Sequence, residues 1–160
     1  SGPLRPWMPG TETARRGTVR YSEGVEIRFP EGLPGFENEH RFLLIEAAAS
    51  VPLKFLQSVE TRDLSFVLAP VELLAPHYDR KLPRGDRETL GVESEGAAGL
   101  EWLAILCFAR PEEPTANLLG PVVIRREAAL GVQSIREDAR YSARQPLFAA
   151  AVGEEPALCS

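Results

Sequence analysis

At 160 residues, 44% apolar and 26% charged, the chain suits one globular domain with a real core. No apolar run approaches the ~20 residues of a membrane-spanning helix, and no charged-then-apolar leader opens the sequence, so a cytoplasmic protein without membrane contact is expected. The net charge of −5 hides an asymmetry: residues 1–20 hold Arg5, Arg15, Arg16 and Arg20 against Glu12 alone, leaving 14 bases and 22 acids in residues 21–160. A body of net −8 repels nucleic-acid phosphates and favours basic partners, unless its acids merely solvate the surface.

Residues 1–16, rich in Pro and Gly, read as a disordered arm, residues 17–148 as the folded domain and residues 149–160 as a flexible tail. Thr18–Tyr21 and Val25–Phe29 alternate across Ser22-Glu23-Gly24 and predict a hairpin. Strands are expected at Arg41–Ile45, Leu53–Val59 and Leu64–Ala69, the last closed by Pro70. Val71–Leu74 and Arg84–Leu90 suit short helices, Asp86 favouring the start of the second. The polar stretch from Gly91 follows, with Glu93, Glu95 and Glu101 expected to be unpaired. Glu101–Phe108 is apolar on both faces and should run through the centre of a sheet, burying Cys107. Val122–Ile124 and Ala129–Ile135 complete the set around Arg125-Arg126-Glu127. The pattern predicts a mainly β fold, a small antiparallel barrel or roll with one or two short helices, and Phe29, Leu103, Ile105 and Val123 in its core.

Two punctuated segments stand out: Phe29-Pro30-Glu31-Gly32-Leu33-Pro34-Gly35-Phe36 and Pro114 through Ile124, which contains Thr115, Asn117, Leu118, Leu119 and Pro121. Gly and Pro fix such a backbone, so each reads as a shaped apolar loop. Either both loops plug a barrel end with Phe and Leu, or they present those side chains to a partner. Leu118 and Leu119 are adjacent, so one should enter the core while the other is free to meet a partner.

Catalytic chemistry is not legible. His40 and His77 stand alone, Ser58, Ser65 and Ser134 lie in strand patterns, and no Gly-rich phosphate cradle precedes a helix, so neither metal, cofactor nor enzyme activity is expected. Cys107 and Cys159 form no disulfide framework. Phe42, Phe55 and Phe66 lack basic interleaving and read as core. Arg80 and Arg84 share the spacing of the phosphate-gripping Arg pair of PilZ barrels, but the Asp/Asn-x-Ser-x-x-Gly element of that family does not follow. A barrel binding a nucleotide-type ligand through these two Arg is the alternative reading.

The two segments, the strands Leu56–Val59 and Leu64–Val67 between them, and the closing Arg140-Tyr141-Ser142-Ala143-Arg144-Gln145-Pro146-Leu147 together resemble the FliW family of flagellar assembly factors over about Gly17 to Leu147. The arm and tail lie outside the resemblance, and His77–Leu100 matches loosely. The resemblance implies a non-catalytic barrel that binds flagellin and the translational regulator CsrA, a small basic dimer that represses flagellin mRNA. Exported flagellin would free the protein to inhibit the regulator. Leu33, Pro34, Phe36, Glu93, Glu95, Thr115, Asn117, Leu118 and Leu119 are the candidate partner-binding residues.

Overall fold

A computed structural model describes residues 24–138 and 140–148. The arm, the tail and the Thr18–Tyr21 half of the expected hairpin lie outside the described residues. Four strands form an antiparallel meander: β1 Val25–Arg28, β2 Arg41–Ile45, β3 Lys54–Ser58 and β4 Ser65–Pro70. Ile27, Phe42, Leu44, Leu56 and Leu68 alternate with more exposed neighbours, so the period of two sets which face turns inward. After α1 (Val71–Leu74) and α2 (Arg84–Leu90) come β5 Glu101–Cys107, β6 Thr115–Arg125, a 3₁₀ turn at Arg126–Ala128, β7 Leu130–Gln133 and the two-residue β8 Gln145–Pro146.

The first seven strands follow one another around a closed barrel, β6 pairing with β5 and β7 with β1. The expectation of an antiparallel barrel holds at every junction but one. An up-and-down circuit with an odd number of strands must close on a parallel pair, and β1 meets β7 that way at Arg28 and Leu130. The seam is narrow, marked by the Arg28 N–H donating to the Ala129 carbonyl at 2.9 Å.

Two apolar clusters result. Ile27, Phe29, Leu33, Phe42, Leu44, Leu56, Leu68, Leu103, Val122 and Ile124 fill the barrel. Outside it, Val71, Tyr78, Leu82 and Leu90 of the β4–β5 connection cover Trp102, Ala104 and Leu106 of β5 and Ala116, Leu118 and Val123 of β6. β5 is therefore apolar on both faces because one lines the barrel and the other lies under this connection. Ile105 is only half-buried, and Cys107, expected in the core, is exposed where β5 runs out.

The Pro114–Pro121 segment is a correction too. It was expected as a loop, but Thr115–Arg125 is one continuous eleven-residue strand. Its Gly and Pro mark an irregularity inside the strand instead of its end.

Candidate functional site

The connection from β1 to β2 is held by its backbone. The Gly32 N–H donates to the Phe29 carbonyl at 2.9 Å. Leu33 and Phe36 exchange N–H···O bonds at 2.6 and 3.3 Å across a tip made by Pro34 and Gly35. Pro presets the first tip position and Gly35, at φ +86°, takes the left-handed second one. Gly32 has φ +67°, and a Cβ there would lie 2.6 Å from the Glu37 carbonyl oxygen. The loop places side chains both inward and outward. Leu33 is buried and plugs the interior, whereas Pro34 and Phe36 face outward. Phe36 is 40% exposed, its ring set edge-on to Phe66 at 5.8 Å.

The neighbouring β3–β4 turn is tied to this loop. Ser58 Oγ and Thr61 Oγ1 donate to the two Glu39 carboxylate oxygens at 2.6 and 2.5 Å. Ser58 Oγ also accepts from the Glu60 and Thr61 N–H groups. Ser58 is therefore a buried hydroxyl whose bonds are all local and structural.

In β6 the register with β5 jumps: Leu103 faces Val122, but Ile105 faces Asn117. Ala104 is thus left opposite Leu118–Pro121, a wide bulge. Its backbone groups are accounted for. Asn117 Oδ1 accepts from the Leu119 and Gly120 N–H groups at 2.9 and 3.0 Å. The Leu118 N–H reaches the Ser142 carbonyl, and the Leu118 carbonyl accepts from the Tyr78 hydroxyl at 2.5 Å. Arg136 N–H, Gln133 Nε2 and Ser134 N–H serve the carbonyls of Leu119, Gly120 and Pro121. Pro121 has no N–H to satisfy. Leu118 is 3% exposed and belongs to the outer core, while Thr115, Asn117 and Leu119 are half-buried.

Chain beyond β7 straps this bulge. Tyr78 and Tyr141 stack at 4.3 Å, and the Arg136 guanidinium lies 4.9 and 5.5 Å from their ring centroids. The Arg136 side chain is 10% exposed, with Nη2 3.9 Å from Asp79 Oδ2 and with Nε and Nη1 lacking hydrogen-bond partners. Burial pushes the Tyr78 hydroxyl up to about 12. On the surface, hydrogen bonds from the Arg140 side chain and backbone pull Asp138 down to about 2.

Glu93 and Glu95 are exposed in the connection after α2, Glu95 standing 3.8 Å from Arg87 Nη1. Glu101 is not unpaired as expected: it accepts from Arg126 at 2.6 and 3.0 Å, in a network with Lys54 and Glu46. Nor do Arg80 and Arg84 converge as an anion grip, since each turns to a carboxylate near it, Glu72 and Glu88. Among the described residues no three His, Cys, Asp or Glu side chains gather as a metal site, and no helix is long and apolar enough to cross a membrane.

The structure brings the predicted residues together within each segment and anchors the segments in different clusters, Leu33 inside the barrel and Leu118 outside it. Sequence reading missed Tyr78, Arg136 and Tyr141 around the bulge and Val59 beside the first loop. A signal existed for Tyr141, which stands in the closing motif. Tyr78 and Arg136 meet only through tertiary packing.

These features define a small closed β-barrel that holds apolar side chains outward on constrained backbone. A family model described as FliW protein matches residues 10–147. The flagellar assembly factor FliW of Bacillus licheniformis is 34% identical over 137 residues, covering 85% of this chain and 94% of that protein. The Leptospira interrogans FliW is 35% identical over 147 residues, covering 89% and 95%. A crystal structure of the flagellar assembly factor FliW superposes with a TM-score of 0.68 at 34% identity, over 77% of this chain and 85% of that one. The chain belongs to the FliW family of flagellar assembly factors.

Proposed function

We propose that this chain is a non-catalytic cytoplasmic protein that binds the translational regulator CsrA, relieves its repression of flagellin mRNA, and exchanges that partner for flagellin. Family membership across nearly the whole barrel carries the reading. The surface supports it in chemical terms: outside the first 20 residues the body is strongly acidic, which suits a basic RNA-binding partner and disfavours direct contact with RNA. Turns that hold Pro34 and Phe36 outward suit protein recognition, because rigid apolar contacts lose little entropy on binding. No cofactor, metal or membrane is invoked.

Size-exclusion chromatography of the purified chain with CsrA from the same organism tests this. Co-elution is expected, and added flagellin should shift the chain out of the CsrA complex. Failure to co-elute at micromolar concentrations of both would reject the reading.

A further inference from the structure

The barrel rim formed by the β1–β2 and β3–β4 connections has features that the fold alone does not demand. Phe36 and Val59, 40% and 38% exposed, stand there with Pro34. A large apolar group left in water is ordinary when mobile and scattered, but these belong to two turns locked to each other through Glu39, Ser58 and Thr61. The Gly32 and Gly35 conformations and the edge-on packing on Phe66 fix where Phe36 points. Its tip is therefore pre-organised before any partner arrives.

Charge indicates what that partner is. The two turns carry Glu31, Glu37, Glu39, Glu60 and Asp63 against Arg62 alone. Glu39 is engaged by the two hydroxyls, and Glu37 turns to the Gly35 N–H. Glu31, Glu60 and Asp63 are exposed, and among the described residues none of them forms a salt bridge. Arg28 and Arg41 flank the rim on the barrel wall, where Arg41 is held by Glu26 at 2.7 Å. An apolar centre within a predominantly acidic border suits steering of a basic partner onto an apolar contact.

We infer that this rim, centred on Phe36 and Val59, is the docking face for a basic protein surface offering an apolar pocket. The inference rests on the proposed CsrA-binding function and assigns it a place on the barrel.

The experiment measures association and dissociation rates of CsrA with the wild-type chain, Phe36→Ala, the pair Glu31→Lys/Glu60→Lys, and the pair Glu93→Lys/Glu95→Lys. Phe36→Ala should weaken affinity by about 30-fold, mostly through faster dissociation, as for a central anchor. The rim charge reversal should slow association by about ten-fold at low salt and leave dissociation near wild type. The Glu93/Glu95 pair should bind as wild type. Because the rim carboxylates are exposed or half-buried, the charge pair keeps the test decisive even if Phe36→Ala unfolds. Rim variants that bind CsrA normally overturn this placement and leave the proposed function standing. Loss of flagellin binding alone in those variants overturns it too, by assigning the rim to the other partner. A wild-type chain that does not bind CsrA overturns both.

Discussion

Replacing Asn117 by Ala should destabilise the barrel by depriving two backbone amides of their acceptor. Its Oδ1 accepts from the Leu119 and Gly120 N–H groups at 2.9 and 3.0 Å, and the bulge displaces both from the β5 ladder. Ala removes the acceptor and leaves one donor on half-buried Leu119 and one on buried Gly120 without it. Each unsatisfied donor costs roughly 1–3 kcal/mol; the Leu119 amide, nearer water, lies at the low end and the Gly120 amide above it, so the sum is about 3 kcal/mol. For a domain of this size the melting temperature should fall on the order of 10 °C. Asn117→Asp keeps an acceptor in the same place and should lose less than half as much. Thermal unfolding of the three proteins, with hydrogen exchange at the Leu119 and Gly120 amides, checks both points. An Ala variant that melts with the wild type would refute the bulge account, as would an Asp variant no better than Ala.

Leu118→Ala should lower the melting temperature, because Leu118 packs in the outer core and such truncations cost ~2–5 kcal/mol. The half-buried Leu119→Ala should instead cost little stability; melting curves of both variants decide this. Gly131→Ala would place a Cβ 2.6 Å from the Phe29 ring, which is fully buried and cannot withdraw, so stability should drop by at least the ~1–3 kcal/mol of an overpacked core in urea unfolding. Tyr78 ionises near 12 in the folded chain and near 10 when unfolded, so its contribution is intact below pH ~10 and is lost as pH rises through about 12. Tyr78→Phe should therefore show a flatter alkaline limb while being less stable at pH 7, where the Leu118 carbonyl loses its donor; a pH series of denaturant melts reads both.

The periodic segments were legible in the sequence because a half-buried strand writes its inward face every second residue. Ile27, Phe42, Leu44 and Leu56 could be placed from that alternation alone. The two-sided apolarity of Trp102–Leu106 was also legible, but its cause was not. The outer face is apolar because Val71–Leu90 folds back over the barrel wall, a contact the strand's own sequence does not encode. The Pro114–Pro121 segment misled for a physical reason: Asn-x-x-Gly-Pro ordinarily ends a strand, and here the same chemistry closes a bulge within one, with donors from Tyr78, Gln133 and Arg136 that local sequence cannot announce. Cys107 went wrong at a boundary, where one residue separates the last covered position of β5 from solvent. For the candidate site, the sequence revealed that the Phe29–Phe36 loop is shaped. That Leu33 turns in while Phe36 stays out is decided by the Leu33–Phe36 bridge and the Phe66 ring across the rim.

Antagonism of CsrA is read directly from displacement of its RNA. CsrA is preloaded with a fluorescent flagellin-leader RNA, and anisotropy is followed as the purified chain is added, then again after flagellin is supplied. The chain should release the RNA at stoichiometric concentration, should not bind the RNA itself, and should lose its effect once flagellin is present. RNA that stays on CsrA at saturating concentrations of the chain would contradict the antagonism.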